Sequence, residues 1–153
     1  MMEKIIGKLF RMAMIDRQAK NKDVAELRQQ LVENKKMLTD KLAVATDSEE
    51  NRQQIRHVIG IERWAQSRLK VVLGEPFKQE EHDGYLPANN KPVANLAQVF
   101  DETRQETLTI AQQLAEVSSV ETQVVNHNAM GAMTVRSWLQ YIDTHGTYEL
   151  RKL

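Results

Sequence analysis

All three prolines of the chain, Pro76, Pro87 and Pro92, fall in one window between Glu75 and Pro92, together with Gly84 and the run "ANN". A proline inside a helix removes a backbone donor and clashes with the preceding turn, at about 3 kcal/mol. The window shows no hydrophobic period either, so it reads as a long connection. The flanking stretches are rich in Gln, Glu, Lys, Leu and Ala, and only 5% of the 153 residues are aromatic. That usage favours helices over sheets, and the expected fold class is all-α.

Four amphipathic stretches follow from the periodicity. Asp23 is the expected N-cap of the first, with Glu26 three residues on completing a capping-box pair, and Val24, Leu27, Leu31, Leu38, Leu42 and Ala45 form its inward stripe. The segment "ATDSEEN" breaks it. Asp47 or Ser48 caps a second helix that runs to Leu73 and stops at Gly74 and Pro76, with Ile55, Val58, Ile59, Ala65, Leu69, Val72 and Leu73 inward. Pro92 stands at the first position of a third, whose core face is Val93, Leu96, Phe100, Thr107, Ala111, Leu114 and Val117. Residues 118–133 read as a polar turn region, and Thr134 caps a last helix running to Leu153. Four long helices joined by short and crossover connections describe a four-helix bundle over residues 21–153. Residues 1–20 precede it as a basic amphipathic arm, with Met2, Ile5, Ile6, Leu9, Phe10 and Ala13 at helical spacing. Such an arm packs on its own domain, joins a second subunit into a homodimer, or lies on a membrane surface.

Charge narrows the functions. Lys+Arg and Asp+Glu each number 21, so no global field gathers nucleic acid or acidic lipid. Basic residues are not interleaved with aromatics, which also speaks against a nucleic-acid partner. No apolar run reaches the ~20 residues that span a bilayer and no signal-peptide core opens the chain, so the expected address is cytoplasmic, without stable membrane insertion. The chain has no cysteine, which removes disulfides, thiolate ligands and a cysteine nucleophile together. The six glycines lack phosphate-loop spacing.

The last helix carries the chemistry. Counted from Val135, its inward stripe holds Trp138, Leu139 and Ile142, then His145, Glu149 and Leu153. An unpaired charge buried there would cost several kcal/mol, so the two polar groups need a partner or a cavity. At this spacing an imidazole and a carboxylate grip one metal ion, or simply hydrogen-bond to each other. His57, on the flank of the second helix, supplies a third ligand; three ligands with an open position describe a catalytic rather than a structural site. His82 and His127 fall in expected loops as surface histidines, His127 being a possible substitute ligand. Gly146, inward and next to His145, either gives a close backbone approach or reflects tight packing.

Taken in order, the pieces "HVIGIERWAQSRL", "DGYLPANN", "LAQVFDETRQETLTIAQQL" and "HNAMGAMTVRSWLQYIDTHGTYELRKL" resemble the DinB superfamily of metalloenzymes over residues 24–153. The resemblance implies a four-helix bundle with a crossover and a divalent metal held by three histidines, one on the second helix and two spaced H-x-x-x-H on the last. By position the first two fall on His57 and His145, and the third on Glu149, which replaces an imidazole by a carboxylate. Such a set suits zinc, iron or manganese, with nickel a further candidate, and favours harder ions than three imidazoles do. Alternatively Glu149 pairs with a neighbouring Arg, Lys or His and the site is degenerate. "ATDSEEN" is also shorter than the family's usual connection. The implied activity is transfer of a low-molecular-weight thiol to a small-molecule electrophile, or a thiol-dependent isomerisation, in a transferase- or hydrolase-like enzyme. The competing expectation is a non-catalytic bundle that acts as a homodimer or partner-binding module.

Overall fold

The computed structural model describes Leu9 and residues 11–153. Four long helices dominate: α1 (Val24–Ala43), α2 (Glu49–Val72), α3 (Val93–Ala115) and α4 (Val135–Leu150). α1 packs on both α3 and α4, and α2 does the same. The fold is mostly helical, and no described helix is long and apolar enough to cross a membrane.

The helix ends are built by the residues that the local sequence nominates. The Asp23 carboxylate accepts from the Glu26 amide at 2.8 Å and the Glu26 side chain reaches back, a complete capping box. Ser48 caps α2 and Thr134 caps α4, each accepting from an amide three residues on. Gly74 follows the end of α2 with φ +106°, a left-handed conformation natural to glycine. Two ends differ from expectation. Pro92 is the N-cap of α3 rather than its first residue, its ψ of 165° being extended rather than helical, and the Asp47 carboxylate comes across to accept from the Val93 amide at 3.0 Å. Asp47 also holds Arg52 at 2.7 Å. α4 ends at Leu150 rather than Leu153.

A hairpin corrects the reading of residues 118–133 as turn alone. β1 (Val124–His127) pairs antiparallel with β2 (Gly131–Thr134), with His127 opposite Gly131 and Val124 opposite Thr134. Val125 and His127 alternate inward, as a half-buried strand requires. The His127 ring closes the turn, Nδ1 accepting from the Ala129 and Met130 amides at 3.1 and 3.2 Å. Gly131 supplies the positive φ of +79°. Trp138 of α4 donates to the Val125 carbonyl at 3.0 Å and pins the hairpin to the helices.

The core is divided. One apolar cluster gathers Leu27 and Leu31 with Trp64, Leu69, Leu114 and Trp138; another gathers Leu38, Ile55, Ile59, Leu96, Phe100 and Leu150. Between them runs a buried polar layer fed by all four helices. Arg104 forks onto Glu62, Nε to Oε1 at 2.7 Å and Nη2 to Oε2 at 3.2 Å, and also donates to Asn34 at 2.9 Å. Thr107 donates to Glu62 at 2.7 Å, and Asn34 donates to Thr147 at 2.7 Å. Paired in this way, the charges escape the cost of burial without a partner.

The described part of the N-terminal arm winds as a π-helix over Arg11–Asp16 and then as an α turn over Arg17–Ala19. Ile15 and Ala19 are buried, whereas Leu9 and Ala13 of the expected stripe are exposed. The π winding bonds i to i+5 and so turns a different face inward. Asp16 accepts from the Ser137 hydroxyl at 2.6 Å, which ties the segment to the start of α4. Met2, Ile5, Ile6 and Phe10, the rest of that stripe, lie outside the described residues.

Candidate metal centre

His57 projects from the third turn of α2, and His145 and Glu149 from the last turns of α4, beside the polar layer. All three are half-buried. An imidazole nitrogen from each histidine and a Glu149 oxygen lie within 4.8 Å of one another, a group that could hold a metal ion. Zinc holds such ligands at about 2.0–2.2 Å, which sets neighbouring ligand atoms roughly 3.4 Å apart. The side chains therefore need to draw in by no more than about 1.4 Å to grip an ion of that size. The donor set, two nitrogens and a carboxylate, is the one the sequence nominates, and helix spacing explains two of its three members. His145 and Glu149 are one turn apart on α4.

The electrostatics keep both nitrogens available. Burial holds His145 down at about 4, helped by the neighbouring His57 and against the pull of Glu149. Burial and then His82 push His57 below the usual imidazole range. Neutral imidazole is the form that binds metal. Burial alone would raise the Glu149 carboxyl; hydrogen bonds from Lys152 and Gln54, and the nearby His145 and Lys152, outweigh it and leave the group below the usual carboxylate range. Lys152 Nζ stands 3.0 Å from Glu149 Oε2, and the Gln54 amide donates to the same oxygen. Glu149 is thus an oriented carboxylate with a surface partner. Both the ligand role and the paired role weighed from the sequence find their atoms here.

His82 corrects the sequence reading. It does not stand free on the surface: its ring packs edge to face on His57, centroids 5.3 Å apart. The crossover carries it there. A single turn of 3₁₀-helix, His82–Tyr85, is held against α2 by Trp64 Nε1 on the Glu80 carbonyl at 3.0 Å and by Arg56 on the Pro87 carbonyl at 2.9 Å. Gly60, one turn beyond His57, makes room. A Cβ there would stand 2.7 Å from Leu86 Cδ2 and 3.6 Å from the His82 carbonyl. The local signal for this was a glycine in the interior of α2, between Ile59 and Ile61, where no turn calls for one.

His127 is likewise no surface residue and no substitute ligand. It is 7% exposed, wedged among Trp64, Trp138 and Tyr141, with its Nδ1 committed to the hairpin turn. Tyr141 stands between the two environments, 5.1 Å from His127 and 5.7 Å from His145 by ring centroids. Burial, and then the charge of Glu149, push its phenol above the usual range, so the hydroxyl keeps its proton. All four histidines of the chain therefore border one row of rings that crosses from the crossover to the hairpin. Gly146 packs without crowding, since a Cβ there would meet Arg104, Leu38 and Val58 at 3.6–3.9 Å, ordinary contact distances. Comparison with protein-family models, with curated proteins and with solved structures gives no match to the chain.

Proposed function

We propose that this chain is a divalent-metal-binding protein of the DinB type. Its four helices and crossover would form the family's bundle, and its activity would be transfer of a low-molecular-weight thiol to a small electrophile, or an isomerisation that depends on such a thiol, in the cytoplasm. One observation supports the reading above the others: ligand atoms of His57, His145 and Glu149, drawn from two distant stretches of sequence, gather within 4.8 Å. His57 and His145 would hold the ion through neutral nitrogens and Glu149 through an oxygen, a mixed set suited to zinc, nickel, iron or manganese. A metal bound there supplies a lowered pKa to a coordinated thiol.

The chain's own residues do the rest. Gln54 and Lys152 orient the Glu149 carboxylate. His82 packs on the outer side of His57 and restricts its ring, as surrounding groups commonly do for a ligand imidazole. With no cysteine in the chain, the thiol must arrive from solution. The test is metal content after tag-free purification. Stoichiometric metal in the parent protein, lost in His57→Ala, is the expected result; equal trace metal in both rejects the reading.

A further inference from the structure

A cavity of about 270 Å³ adjoins the candidate metal centre. His145 and Glu149 line one part of it; Met14, Ile15, Tyr141, Thr144 and Tyr148 line the rest. The N-terminal segment thus supplies part of the wall, although it lies outside the four long helices. No lysine or arginine lines the cavity among the described residues, so a charged molecule would enter without a counter-ion other than Glu149, and an anion would be repelled by it.

One polar atom in the wall lacks a use. Thr144 Oγ1 is engaged, donating to Gln18 at 3.2 Å and accepting from Gln140 at 3.0 Å. Tyr141 is different: the residue is 7% exposed and lines the cavity, and its hydroxyl, which is not sealed off completely, makes no hydrogen bond among the described residues. Tyrosine hydroxyls on side chains this buried usually have a partner, and here the side open to the cavity is where one can sit. A bound molecule with an acceptor oxygen would supply that partner.

We propose that this cavity seats the substrate, an uncharged molecule of roughly ten non-hydrogen atoms on the scale of cavities known to take benzene, with an apolar body and one carbonyl or ether oxygen that accepts from Tyr141. Met14 and Ile15 set the shape of the apolar end, and the arm is a specificity element. That the occupant is a substrate rests on the metal reading; the cavity's affinity does not.

Acetophenone is the probe, with benzoate as its charged counterpart, and the titration is run by amide chemical shift on the metal-free full chain, so that it succeeds or fails independently of metal content. Acetophenone should saturably move the amides of Met14, Ile15 and residues 144–148, and benzoate should not. Tyr141→Phe keeps the ring and removes the donor, and should weaken acetophenone about fivefold, the value of one ordinary hydrogen bond. Met14→Trp, filling the cavity from the opposite wall, should weaken it more than Tyr141→Phe does. Unmoved amides, benzoate binding as well as acetophenone, or undiminished affinity in Tyr141→Phe would each overturn the proposal.

Discussion

The imidazole rings of His57 and His145, carried by α2 and α4, stand 5.1 Å apart between centroids and tilted by 60°. Burial depresses both, His145 to about 4. In the unfolded chain each titrates near ~6.5. As pH falls below that value the unfolded state takes up protons that the folded state refuses, so stability is full above ~6.5 and drains away as pH falls toward about 4. For His145 the loss is on the order of 3 kcal/mol. Urea unfolding of metal-free protein at neutral and acid pH should show a decline that His145→Gln largely removes; an unchanged pH profile in that variant contradicts the assignment.

If the proposed centre binds metal, Glu149 should set which ion it prefers. Carboxylate oxygen suits harder ions, imidazole the borderline ones. Glu149→His introduces a third imidazole and also releases Gln54 and Lys152 from their acceptor. The affinity for manganese relative to zinc should fall, as read by competitive metal titration. A ratio that stays the same means that Glu149 does not ligate.

The buried ion pair Arg104–Glu62, with side chains 0% and 3% exposed, joins the two apolar clusters. Removing one partner leaves a charge stranded in the core. Arg104→Met alone should cost about 3–5 kcal/mol, whereas Arg104→Met with Glu62→Leu should recover much of it, since the desolvation of both charges is then avoided. Paired urea melts of the single and double variants measure this.

Gly146 tests whether the glycine beside His145 serves the site. A Cβ would meet only ordinary contacts, the closest 3.6 Å from Arg104. Gly146→Ala should therefore gain about 0.5–1 kcal/mol from reduced freedom of the unfolded chain and raise the melting temperature by about 1–4 °C. Metal content should be unchanged. Loss of metal in this variant would mean that the backbone at Gly146 approaches the ligand after all.

Much of the fold was legible because helix ends and helix faces are local. Asp23 with Glu26, Ser48, Gly74 and Thr134 act on amides or dihedrals within a few residues, and each works where its spacing suggests. The hairpin was not legible. Its strands are four residues each, and its decisive contacts, Trp138 to Val125 and the ring of His127 against Trp64, come from other elements. His127 and His82 were misplaced for the same reason, since a histidine's burial depends on what packs over it.

By itself, then, the sequence determined the four helices, their caps and the pairing of His145 with Glu149 along one face, because the α-helical repeat converts spacing into direction without help from the rest of the chain. Tertiary structure decided what converges on that face: that α2 presents His57 to α4, that Gly60 admits Leu86 and so sets His82 on His57, and that Ile15 and Tyr141 close a cavity beside them. Those relationships join residues far apart in the chain, and they exist only once the loop entropy separating them has been overcome by burial of the core.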